Sequence, residues 1–202
     1  MGLQCDCIVL YNNIVIHFDT SAAVIGSITV TMPSTKGADI LRKQRIYLDS
    51  SAISHLYQLD APTKMDDTLL FWEELRQGRY EVFIGTVAFI EIDGCNEHNR
   101  KILDNYLAEI DFTLVENNPS ILLLADKIIE QGVLTKKSYN DCNHIASAVI
   151  SECDIIVSWN FKHMVNVKTI NGVRGINMLN GYKSVDIYTP SMLIERSDER
   201  YD

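Results

Sequence analysis

The sequence predicts an α/β fold: a doubly wound, mainly parallel sheet flanked by helices over residues 44–194, with a β-rich N-terminal extension (1–43) and a short C-terminal tail (195–202). Two observations predict it. From residue 44 onward, short apolar runs of strand character alternate with longer helical ones, the order that builds a parallel sheet with helices between its strands. The run DIIVS at 154–158 is apolar without alternation, as a strand covered on both faces has to be.

The extension carries apolar runs at 7–10, 14–18 and 24–31, followed by a linker-like MPSTKG at 32–37. It reads equally as a small β appendage, an extra pairing strand or an upstream extension with no fold of its own. RIYL at 45–48 is a strand ending at Asp49, a position that also suits an ordinary turn or helix-cap residue. Residues 62–77 place Leu69, Leu70, Trp72 and Leu75 at helical spacing, with Gly78 as the stop. YEVFI at 80–84 is a strand, and Thr86 is placed to cap a helix bearing Val87, Ile90 and Glu91. Residues 96–110 repeat Ile102, Leu103, Tyr106, Leu107 and Ile110 as an amphipathic helix. A strand at 112–115 leads to a helix at 119–131 closed by Gly132. A helix at 138–152 carries Cys142, Ile145, Ala146 and Val149 on its inner face; strand 154–158, a basic, Asn-rich helical stretch and a last strand at 184–188 complete the series.

Composition narrows the class. With 47% hydrophobic and 22% charged residues in 202, the chain can bury a sizeable core. No run approaches the roughly 18 apolar residues of a membrane span, and the N-terminus lacks a secretory signal's basic start and apolar run. Five cysteines without zinc-finger spacing point to a reducing, cytoplasmic compartment. The net charge of −9 argues against a protein that coats duplex by neutralising phosphates. It leaves room for an enzyme whose carboxylates hold a metal.

Candidate chemistry lies at the strand ends, where ligands of doubly wound sheets collect. Asp49 follows the first strand, Glu91 sits on the helix after the second, Asp141 starts the helix before the fourth, and Asn160 follows that fourth strand. Right-handed crossovers bring these segments to one sheet edge. Three carboxylates there need a counter-charge, and a hard cation, Mg²⁺ or Mn²⁺, suits oxygen donors. Ser50 and Ser51 either donate hydrogen bonds to Asp49 or a phosphate, or cap the next helix. Lys162 and His163 either contact phosphate beside a stacking Trp159, or are solvated cations around a core Trp. His144, one turn past Asp141, can reach substrate, but packing or a solvent-facing position suits it better.

The string Leu48-Asp49-Ser50-Ser51-Ala52-Ile53-Ser54 resembles the first motif of the PIN-domain nucleases, and Thr86-Val87-Ala88-Phe89-Ile90-Glu91 the second. Asn140-Asp141-Cys142-Asn143-His144-Ile145-Ala146 and Ser158-Trp159-Asn160-Phe161-Lys162-His163 are similar to the third and fourth in the branch ending Trp-Asn-x-Lys-His, and Asp186-Ile187-Tyr188-Thr189-Pro190 also fits it. The resemblance spans about 44–194. It implies a PIN-like fold and a metal-dependent endoribonuclease, most often the VapC-type toxin silenced by a cognate antitoxin, with homodimerisation. It makes Asp49, Glu91 and Asp141 metal ligands. Asn160 stands where many relatives have Asp, which removes a charge and weakens any second metal position. The rival within the resemblance is a degenerate PIN domain that binds RNA or protein without cutting. A receiver-like phosphoacceptor ranks lower, because the middle strand ends in Glu116-Asn117-Asn118 with no acceptor Asp.

Overall fold

The computed structural model describes residues 42–194 and, as backbone only, the strands β1 (Cys7–Tyr11), β2 (Ile14–Phe18) and β3 (Thr29–Thr31). The chain divides into two compact units, Met1–Arg42 and Lys43–Asp202. In the first, β1, β2 and β3 form an antiparallel sheet in that order. The linker expected at 32–37 and the tail at 195–202 lie outside the described residues.

In the second unit, β4 (Arg45–Leu48), β5 (Glu81–Gly85), β6 (Phe112–Val115), β7 (Ile155–Val157) and β8 (Asp186–Tyr188) form a wholly parallel sheet in the order β6-β5-β4-β7-β8. The helices are α1 (Ser50–Ser54), α2 (Pro62–Arg76), α3 (Thr86–Asp93), α4 (Glu97–Leu107), α5 (Pro119–Glu130), α6 (Tyr139–Ile150) and α7 (Val167–Asn180). The doubly wound α/β fold expected from the sequence is therefore present.

Strand alternation sorts the core into two layers, because successive side chains face opposite ways. Ile46, Leu48, Val82, Ile84, Ile155 and Val157 meet α1, α2, α3 and α4 on one face. Tyr47, Phe83, Ile156 and Ile187 meet α5, α6 and α7 on the other. Ile46, Tyr47 and Leu48 of β4 and Ile155, Ile156 and Val157 of β7 are all buried, which explains why DIIVS shows no polar alternation.

Two local readings change. Gly85, not Thr86, is the N-cap of α3, since β5 runs one residue further and Thr86 already has helical geometry. In α2 the inward residues are Phe71, Trp72 and Leu75, while Leu70 is exposed. Phe71 gives the helix its second large anchor, so the stripe lies one position later than Leu69 and Leu70 suggested. Helix α1 was foreseen only as a segment to be capped, by Asp49 or by Ser50 and Ser51; Asp49 is its cap. Gly78 and Gly132 end their helices with φ of 66° and 68°.

Candidate active site

The winding direction of the sheet reverses at β4. From it the chain runs outward through β5 to β6, then crosses back to β7 and β8 on its other side. Such a reversal leaves a crevice beyond the strand ends, where open α/β sheets bind ligands. Asp49 follows β4 and Ser158-Trp159-Asn160 follows β7, so both segments enter that crevice. The Asp49 N–H donates to the Val157 carbonyl at 3.2 Å, fixing the two strand ends against each other.

Asp49 is buried, and its carboxylate is saturated from inside. Oδ1 accepts the Ser51 N–H (2.8 Å), the Ser51 hydroxyl (2.6 Å) and the Ala52 N–H (3.0 Å); Oδ2 accepts the Ser158 hydroxyl (2.5 Å). Two of these are the free N–H groups of the first turn of α1, so Asp49 is both helix cap and strand-end acid. Ser51 also receives the Trp159 N–H at 2.8 Å and ties the two loops together.

Asp141, in the first turn of α6, is bound to the loop after β7. Its Oδ1 accepts the Asn160 amide at 2.7 Å, and its Oδ2 lies 2.9 Å from His163 Nδ1. Asn160 accepts the His163 N–H at 3.0 Å through Oδ1. A backbone donor can meet only the oxygen, so the Asn160 amide is oriented with its NH₂ towards Asp141. The Asn160 N–H in turn donates to the Ser158 hydroxyl at 2.9 Å. Asp49, Ser158, Asn160 and Asp141 thus form one continuous chain of contacts. Burial pushes the Asp141 carboxyl up, aided by the Asp49 charge and opposed by His163 and His144.

Glu91 reaches the same edge from α3. It accepts the Asn140 amide (2.8 Å), the Ser50 hydroxyl and His144 Nε2 (3.1 Å). Burial disfavours its charge, but the hydrogen bonds from His144, Ser50 and Asn140 outweigh it and hold the carboxyl down at about 2. Since a carboxylate only accepts, His144 Nε2 carries the proton towards Glu91. In the neutral ring Nδ1 is then the acceptor for the Tyr47 hydroxyl, 2.9 Å away. Burial pushes the Tyr47 phenol far up, so it remains a donor. Gly85 makes room for that hydroxyl: a Cβ at residue 85 would overlap it.

The structure therefore brings Asp49, Glu91, Asp141, Asn160, Ser50, Ser51 and His163 to one edge, linked through Ser158, Asn140 and His144. Lys162 is exposed on the same loop, its ammonium in no ion pair among the described residues. The donors suit a hard cation chemically, and one or two carboxylates with waters suffice for Mg²⁺, but three of them do not converge on one point. Among the described residues no group of three or more His, Cys, Asp or Glu side chains could hold a metal ion. The reason is visible in the bonding: Asp49 is held by serine hydroxyls and α1, Asp141 by Asn160 and His163, and Glu91 by a third set of partners. The edge also holds two carboxylate–histidine pairs, Glu91–His144 and Asp141–His163, each with one partner about a third exposed.

Sequence reasoning missed three supports. His144 fills the core, as expected of a packing residue, yet also holds Glu91; its position three residues after Asp141 was the available signal. Tyr47 and Ser158 left none, because an apolar strand and a Ser before Trp look structural. Trp159 resolves towards the core: it is 7% exposed, with Nε1 donating to Thr68 Oγ1 at 2.8 Å. Cys142 and Cys153 are buried, and burial pushes both thiols up to about 12, which leaves them inert. Asp93 pairs with Arg100 on the surface, and Asp154 accepts the Arg45 N–H and Lys183 away from the site.

No protein-family model matches the chain, and no curated protein matches it. Among solved structures the chain is similar to one from "VapBC2 from Rickettsia felis bound to a DNA fragment from their promoter", at 13% identity and a TM-score of 0.47, covering 72% of this chain and 98% of that one. A likeness at that level says nothing about chemistry or partners. No helix among the described residues is long and apolar enough to cross a membrane.

Proposed function

We propose that residues 43–194 are a PIN-like ribonuclease that hydrolyses RNA phosphodiester bonds at the Asp49–Glu91–Asp141 edge, and that the protein is the toxin of a pair silenced by an antitoxin. The observation that carries the reading is the hydrogen-bonded convergence of four motif residues from four separate segments, Asp49, Glu91, Asp141 and Asn160, at the crevice beside the sheet's reversal. The order and spacing of the four motifs support it independently. The toxin role and the antitoxin rest on the motif resemblance alone.

The chain's own groups suit a phosphodiester. Asp141 orients His163 Nδ1, and a partly exposed histidine held by a carboxylate can take or give a proton at an attacking or leaving oxygen. Lys162, exposed beside it, can meet a phosphate oxygen. The resemblance implies Mg²⁺ or Mn²⁺, which one or two of these carboxylates would hold together with water rather than all three at once.

The lack of a three-ligand group among the described residues favours a second reading, the degenerate domain that binds RNA without cutting. One experiment separates the two: binding of labelled single-stranded RNA in EDTA alongside its integrity after incubation with Mg²⁺ or Mn²⁺. The ribonuclease reading expects shortened RNA with either ion. Bound but intact RNA under every condition would replace it with the binding module.

A further inference from the structure

Phe161 is the one exposed Phe, Tyr or Trp among the described residues, at 50% relative exposure, and it directly follows Asn160, whose amide holds Asp141. Its loop is fixed: the Phe161 N–H donates to the Trp159 carbonyl at 3.0 Å, and Asn166 Nδ2 donates to the carbonyls of Phe161 and Lys162 at 3.3 and 3.2 Å. Behind it the Trp159 ring lies 6.2 Å away at 52°, itself pinned through Nε1 to Thr68. From α2, Lys64 brings its ammonium to 5.2 Å from the Phe161 ring centre and 5.3 Å from that of Trp159. His55 completes the cluster against Trp159 at 5.8 Å.

Neither the acidic network nor the core uses Phe161. An exposed aromatic ring beside a cation, next to a phosphodiester-cleaving edge, has the makings of a base platform: stacking binds any unpaired base, and the cation meets the backbone phosphate. A chain of net charge −9 repels a polyanion elsewhere, so such local cations decide where RNA can approach. We propose that Phe161 and Lys64 form a shelf that stacks one unpaired nucleobase of single-stranded RNA and presents the neighbouring phosphate to the acidic edge; the choice of RNA rests on the ribonuclease reading. The shelf disfavours duplex, whose internal bases have no free face.

The test is fluorescence anisotropy on the full chain in EDTA, with a labelled ten-nucleotide RNA single-stranded or annealed to its complement. Phe161→Ala weakens binding of the single strand by about tenfold, while Phe161→Trp, which keeps a stacking face, binds like wild type or better. Lys64→Met weakens binding and lowers the dependence of log K on log salt by about one. Melting curves of each variant show whether the fold is intact, and rescue by Trp separates stacking from packing. The shelf is overturned if Phe161→Ala binds within twofold of wild type, if single strand and duplex lose affinity equally, or if wild type fails to bind the single strand. Cleavage with Mg²⁺ or Mn²⁺ is scored separately. Wild type that cuts RNA while Phe161→Ala binds and cuts equally removes only the shelf. Binding through Phe161 without any cutting removes only the ribonuclease.

Discussion

Replacing Glu91 by Gln isolates the charge that the site's donors hold. Its carboxyl is depressed from the usual 4.5 to about 2 by Ser50, His144 and Asn140 working against burial. At about 1.36 kcal/mol per pH unit that is at most about 3 kcal/mol of folded-state preference for the anion. The side chain keeps 31% exposure, so solvent screening reduces it to about 1–2 kcal/mol. A depressed carboxyl contributes stability above its unfolded value, near 4.5, and loses it as pH falls towards about 2. Asp141, shifted the other way, contributes with the opposite sign and blunts the trend without creating it. Gln also turns an NH₂ towards groups that donate. Glu91→Gln, followed by circular dichroism in EDTA, should melt about 2–8 °C below wild type at pH 7, the gap closing between pH 4.5 and 2. An equal deficit at every pH, or none at pH 7, would refute the idea that these bonds hold a charge.

Three further outcomes follow from particular contacts. Gly85→Ala drives a methyl into the Tyr47 hydroxyl and costs about 1–3 kcal/mol in chemical denaturation. Adding Tyr47→Phe should recover part of that loss, and strict additivity of the two would contradict the close approach. Thr68→Val leaves the buried Trp159 N–H without its acceptor, costs about 1–3 kcal/mol and alters tryptophan fluorescence; an unchanged spectrum and stability would show that Trp159 is not pinned there. Asn160→Asp replaces the donor to Asp141 with a like charge, so the variant should melt below wild type in EDTA and regain more than wild type on adding Mn²⁺. Equal melting in EDTA would mean that the amide does not support Asp141.

Much of the fold was legible because its signals are local. Apolar runs, Pro119 at a helix start and Gly132 at a helix end mark elements by rules that act within a few residues, and β4 and β6 occupy the predicted residues. Helix α1 was not predicted as an element because five residues cannot show a period, although Asp49 could be named as a possible cap. The site divides the same way. Asp49, Glu91, Asp141 and Asn160 could be named from motif strings, and Ser51 as a donor to Asp49, but not the distant partners of each carboxylate. The Ser158–Asp49 and His144–Glu91 contacts span 109 and 53 residues, and no local pattern encodes them. Whether Trp159 stacks on a ligand or fills the core was likewise hidden until Thr68, 91 residues away, takes the indole N–H.

The most direct measurement is the single-turnover rate at which end-labelled, single-stranded RNA is cut with Mg²⁺ or Mn²⁺, comparing wild type with Asp49→Asn and Asp141→Asn. Each variant removes one charge while keeping the side chain's size. If the acidic edge does the chemistry, both should be slower by about a hundredfold or more, with melting temperatures that show a folded chain. Wild type and both variants cutting at the same rate would place the chemistry elsewhere and contradict the central claim.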